Sequence, residues 1–210
     1  MTERKSRAAG NDDPGRAERF QSVLSEAIAV ADQNDFPYVV AGSIASVSWG
    51  RPGSFGDIDF LIDRQDAKAW LKALEAAGFE TEETFPQWLF KAFKLGITVD
   101  VIFEMAGPLY LEPQMLERAS MVEIEGTKLR LMSPEDFVVC QALSLKEDTP
   151  VYWFNAMGVI SRRQIDWDYI VDMSPRGPRK LLSFLLLAQS EDLPVPDSVI
   201  RRIFDATFAT

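Results

Sequence analysis

Two apolar stretches constrain this chain more than anything else in it: Tyr38-Val39-Val40-Ala41-Gly42-Ser43, and Gly56-Asp57-Ile58-Asp59-Phe60-Leu61-Ile62. The first reads as a buried strand that ends in a small-residue turn and runs into a helix. The second reads as a strand with two carboxylates. Strand side chains alternate between faces, so Asp57 and Asp59 are expected on one face, with Ile58 and Phe60 on the other. Carboxylates so close repel each other, and a fold keeps them only where a cation or a shared proton relieves the repulsion. An oxygen-only ligand set favours Mg²⁺, which one or two carboxylates hold together with substrate phosphates. Gly42 and Ser43 offer the other half of such a site, because a small-residue turn lets phosphate approach backbone N–H groups at a helix start.

A third strand, Ile97-Thr98-Val99-Asp100-Val101-Ile102-Phe103, carries Asp100 as its only acid. A Gly-Ser turn after an apolar strand, a helix, Asp-x-Asp and then a lone acid together resemble the signature of the DNA-polymerase-β-like nucleotidyltransferase superfamily. The resemblance is nearest to small bacterial stand-alone nucleotidyltransferases, including those found as toxins paired with antitoxins. It covers roughly residues 36–147. It implies Asp57, Asp59 and Asp100 as catalytic and metal-binding residues, with Mg²⁺ or Mn²⁺ as cofactor and an NTP as substrate. It also implies Gly42, Ser43, Arg51 and Lys146 as nucleotide-binding residues. The acceptor hydroxyl would belong to a tRNA, a protein or a small molecule, and an antitoxin would be a partner. Members often carry a lysine near the position of Gln141; either Lys146 replaces it, or that lysine's role is lost. A non-catalytic nucleotide-binding or interaction module retaining the fold is the competing expectation.

The expected architecture is α+β: a nucleotidyltransferase-like mixed sheet with flanking helices, then a C-terminal helical region. Residues 1–17 have almost nothing to bury and read as a disordered tail, 18–132 as the core, and 133–210 as the helical region. A helix is expected from Phe20 to Ala31, and another from Asp66 to Ala77. Hairpins are expected about Gly96 and Glu125-Gly126, and a helix over Pro108–Ala119. Ser133-Pro134-Glu135-Asp136 reads as a helix start, with the helix continuing to 147.

Composition removes several functions. The 210 residues include no histidine, which excludes His-bound zinc and Ser-His-Asp catalysis. One cysteine, Cys140, allows no internal disulfide and fits a reducing compartment, hence a cytoplasmic location. A net charge of −10 argues against a general nucleic-acid-binding surface. No apolar run approaches the ~18–20 residues of a membrane span, and the charged N-terminus lacks a signal core.

Overall fold

A computed structural model describes residues 14–146 and 150–208. Helix α1 (Arg16–Gln33) leads into strand β1 (Tyr38–Val40), helix α2 (Gly42–Ser48) and strand β2 (Ile58–Ile62). Helix α3 (Ala67–Ala76), strands β3 (Glu80–Phe85), β4 (Leu89–Lys94) and β5 (Ile97–Ile102), and helix α4 (Pro113–Arg118) follow. Strands β6 (Ser120–Ile124) and β7 (Thr127–Leu131) close the sheet-forming part. Then come helices α5 (Pro134–Ser144), α6 (Val151–Ile160), α7 (Trp167–Met173), α8 (Pro178–Ser190) and α9 (Asp197–Phe208).

The sheet has seven strands in the order β3-β4-β5-β2-β1-β7-β6. It is mixed: β2 pairs with β5, and β1 with β7, in parallel, while the remaining pairs are antiparallel. This is the α+β architecture anticipated from the strand and helix pattern. Both tight hairpins turn on two residues at positive φ, Leu95-Gly96 and Glu125-Gly126, the geometry that matches the right-handed strand twist.

One face of the sheet is covered by α1 and α3. Phe36, Tyr38, Phe60 and Trp70 pack there ring against ring, with centroids 5.1–6.2 Å apart. The helical region attaches through α2, which lies against α5 and α6. Arg163 donates from Nε to the Trp49 carbonyl and from Nη2 to the Ser48 carbonyl, both at 3.0 Å, and so satisfies the C-terminal carbonyls of α2. Trp49 Nε1 in turn donates to the Met132 carbonyl at 2.9 Å.

Four boundaries differ from expectation. Residues 1–13 lie outside the described residues, but Arg16 opens α1, so the proposed tail cannot extend to residue 17. The helix expected over Pro108–Ala119 begins only at Pro113, because the residue before a proline is pushed out of the helical region. Glu112 accordingly has φ −104° and ψ 152°, and Met105 and Leu109 pair as an extended bridge. Helix α5 stops at Ser144, where Lys180 Nζ takes the carbonyls of Leu143 (2.9 Å) and Leu145 (2.8 Å), leaving Lys146 beyond the helix. Strand β2 begins at Ile58, so Asp57 precedes the strand and does not sit in it.

Candidate active site

The site is built where β1 ends, where β2 begins and midway along β5. Parallel pairing sets Asp59 directly beside Asp100. The antiparallel β4–β5 hairpin sets Lys91 opposite Asp100 on the other side. Residues in register across neighbouring strands share a face. Lys91, Asp100 and Asp59 therefore form one row across three strands. Lys91 Nζ lies 2.5 Å from Asp100 Oδ1. Asp57, one residue ahead of the strand, is exposed.

Gly42 makes this row possible. Its φ is +57°, and a Cβ at that position would fall 1.8 Å from Asp59 Oδ2. Only glycine leaves room for the carboxylate against the turn and adopts its backbone without strain. The backbone N–H of Ser43 donates to the Asp59 carboxylate. The Ser43 hydroxyl accepts from Gly56 N at 2.8 Å and donates to the Asp57 carbonyl at 3.3 Å. Ser43 thus ties the start of α2 to the segment that delivers Asp57, and does not cap its own helix. That segment is held from a second side as well. Arg16 donates to the carbonyls of Phe55 and Gly56, each at 3.0 Å, and Phe55 stacks on Phe20 at 5.3 Å.

The electrostatics show an uncompensated site. Asp59 is pushed up to about 7, first by burial and then by the like charges of Asp100 and Asp57, against the opposing pull of Lys91 and the Ser43 N–H. Asp100 is also raised by burial, while the hydrogen bond from Lys91 holds it back. Among the described residues no three Asp, Glu or Cys side chains are arranged to close round an ion by themselves. Mg²⁺ needs no such cage, since it is commonly held by one or two carboxylates and completed by phosphate oxygens and water. The donor set fits it: all the ligands are oxygen, and a divalent cation would relieve the repulsion that raises Asp59.

The other predicted residues divide. Arg51 follows α2, and its side-chain stem passes over Gly158 of α6, where a Cβ would stand 3.4 Å from Arg51 Cγ. Its guanidinium makes no hydrogen bond or ion pair among the described residues, so it remains available to an anion. Lys146 lies exposed, two residues past α5. Gln141, at the position where a lysine was expected, accepts from Asn155 Nδ2 at 3.1 Å and serves the α5–α6 contact. Asp63 caps the turn after β2 by accepting from Gln65 N, and Glu104 pairs with Arg64. Cys140 is buried, and burial raises its thiol, so it packs as a small hydrophobe.

Two residues escaped the sequence reading. Lys91 was legible in principle: a two-residue turn at Leu95-Gly96 sets it opposite Asp100. Arg16 was not, because its partners lie about 40 residues away.

A family described as "Uncharacterised nucleotidyltransferase" matches residues 48–190, well over half of the chain. Among solved structures, the solution structure of the antibiotic-resistance factor ANT(2'')-Ia is 17% identical, covering 82% of this chain and 92% of that one, with a TM-score of 0.54. The crystal structure of ANT(2'')-Ia in complex with adenylyl-2''-tobramycin is 15% identical over 82% of this chain and 98% of that one, with a TM-score of 0.53. An antigenic nucleotidyltransferase-like protein from Paracoccidioides brasiliensis is 16% identical over 92% of this chain and 98% of that one, with a TM-score of 0.51. At these identities the likeness is one of fold. No curated protein matches the sequence.

Proposed function

We propose, from the premise that this chain belongs to that nucleotidyltransferase family, that it moves a nucleoside monophosphate from an NTP to the hydroxyl of a small molecule in a divalent-metal-dependent reaction. Family membership makes the chain an enzyme and sets aside the binding-only module. The observation that carries the finer reading is the row of Asp59 and Asp100 in register, with Gly42 cut away to admit Asp59.

Asp57 and Asp59 would hold Mg²⁺ or Mn²⁺, which when bound neutralises the triphosphate and makes its α-phosphorus accessible to attack. The acceptor hydroxyl forms the new O–P bond, the bond from the α-phosphorus to the bridging oxygen breaks, and pyrophosphate leaves. Asp100 stands beside Asp59 to take the hydroxyl proton, with Lys91 holding its other side. The turn at Gly42-Ser43 receives phosphate oxygens, and Arg51 and Lys146 supply positive charge. The Ser43 hydroxyl keeps the Asp57 segment in place.

A small-molecule acceptor is favoured over tRNA by the net charge of −10, which opposes a polyanion. The likeness in fold to ANT(2'')-Ia, solved with an adenylylated antibiotic, points the same way.

The test is calorimetric titration of each NTP with Mg²⁺ into the wild type and into Asp57→Ala/Asp59→Ala. Metal-dependent binding that the double substitution removes is the expected result, and it also names the preferred base. Wild-type protein that binds no NTP with either metal would sink the proposal.

A further inference from the structure

The segment that delivers Asp57 has little of its own to hold it. Residues 52–56 belong to no helix or strand, and among the described residues none of them makes a backbone-to-backbone hydrogen bond. Asp57 itself comes one residue before β2. A free stretch of chain samples many backbone states, and a carboxylate at its end is spread over as many positions.

Side chains do the holding. The Gly56 N–H donates to Ser43 Oγ at 2.8 Å, and the Phe55 carbonyl accepts from Arg16 Nη1 at 3.0 Å. The Gly56 carbonyl accepts from Arg16 Nη2 at 3.0 Å, and the Asp57 carbonyl from Ser43 Oγ at 3.3 Å. Three successive carbonyls are therefore each taken by a side chain, and Arg16 takes two of them. Its guanidinium nitrogens form a rigid planar fork, which fixes the direction of both carbonyls at once. Both bonds are charge-assisted and so stronger than a neutral pair.

The fork is itself anchored. Arg16 is the first residue of α1 and Phe20 follows one turn later, so the two share a face of the helix. Phe20 is buried and stacks on Phe55 with planes 16° from parallel. Val23, Leu24 and Ala27 bury the following turns in the core. Helix α1 thus ties the chain just ahead of Asp57 to the body of the protein. It lies before residues 48–190, which the family match covers.

We infer that Arg16 is a positioning residue for the metal site: it holds the Asp57 carboxylate where it can share a divalent cation with Asp59. The inference rests on the nucleotidyl-transfer reading of the acids. Arg16 acts through two backbone carbonyls, so its loss loosens Asp57 and leaves the phosphate contacts at Gly42-Ser43 in place. Preorganisation is what disappears, and excess metal should make up for it.

Calorimetric titration of ATP, GTP, CTP and UTP with Mg²⁺ into the full chain, wild type against Arg16→Met, tests it. At limiting Mg²⁺ the variant should bind NTP about tenfold more weakly, and in excess Mg²⁺ the two should agree within about twofold. Arg16→Lys keeps the charge without the fork and should lose about threefold at limiting Mg²⁺. Gln21→Ala, on the same helix but bonded to the Glu125 carbonyl at 2.6 Å, should bind as wild type does. In metal-free protein the Gly56 amide should exchange with solvent about tenfold faster in Arg16→Met. Equal affinity of Arg16→Met and wild type at every Mg²⁺ level, or unchanged Gly56 exchange, would overturn the inference. A loss that persists in excess Mg²⁺ would overturn it in favour of a direct phosphate contact, and full recovery in Arg16→Lys in favour of charge alone. If the wild type binds no NTP, the reading of the acids falls and takes this inference with it.

Discussion

Carboxylates gather in two regions of this molecule, and their partners could hardly differ more. In the helical region Asp136 is fully buried and Glu135 nearly so. Asp136 accepts from Ser133 Oγ and from Tyr169 OH, each at 2.7 Å. Glu135 accepts from Asp166 N at 2.9 Å and faces Arg118 at 3.3 Å, and the Arg118 guanidinium lies 4.0 Å from the Tyr169 ring centroid. Hydrogen bonds and an ion pair to these acids join α4, α5 and α7, so each buried carboxylate has partners, although Arg118 Nε is left without one among the described residues. In the sheet, Asp59 stands beside Asp100 and near Asp57, with one ammonium, Lys91, among the three. A cluster completed from within is architecture. A cluster that the chain leaves short of positive charge is, on the proposed reading, a place for a cation.

Substitutions in the two clusters should therefore move stability in opposite directions, and the largest effect belongs to the helical network. Asp136→Ala leaves the Tyr169 and Ser133 hydroxyls without their acceptor and opens a cavity. It should cost about 3 kcal/mol and lower Tm by roughly 6–12 °C in a scan. A Tm within a degree of wild type would show that the network is not structural.

Asp59→Asn should do the reverse in metal-free protein. Asp59 is raised from the ordinary carboxylate range to about 7. Between these limits the folded state keeps a proton that the unfolded state has released, so stability falls as pH rises through about 7. Discounted for its partial exposure, removing this charge should raise the Tm by roughly 4–8 °C at pH 8 and flatten the pH dependence. It should also abolish Mg²⁺-dependent NTP binding. In wild type that binding should strengthen as pH rises toward 8, because metal and proton compete for the same oxygens. Stability of the wild type that is flat from pH 5 to pH 8 would contradict the like-charge account of Asp59.

The smallest change sharpens the role of Lys91. Lys91→Met keeps most of the side chain's volume and removes the only cation in the row. It should reduce turnover about tenfold through kcat, leave NTP affinity within about threefold, and shift the acidic limb of the pH–rate profile upward. An unchanged pH profile would make Lys91 a packing residue.

Much of this was legible before any coordinates. The alternation in Ile58–Ile62, the lone acid of Ile97–Ile102, and the caps at Ser133-Pro134 are local signals whose physics acts over a few residues. The local pattern fails where a distant partner, or the conformation of a neighbouring residue, decides the outcome. Arg16 looked like part of a tail because the two carbonyls it holds are remote in sequence. Helix α4 starts later than the helical pattern of 108–119 suggests, because Pro113 holds Glu112 in an extended conformation. Lys146 falls beyond α5, whose last carbonyls Lys180 takes from another element.

By itself the sequence determined the strand periodicity, the turn residues and the kinds of chemistry available: carboxylates on apolar strands, no imidazole, and a small-residue turn at a helix start. Only the tertiary structure decided which acids stand together, because strand order and register follow from packing over the whole sheet. The parallel pairing of β2 with β5 sets Asp59 beside Asp100, two carboxylates far apart in the sequence.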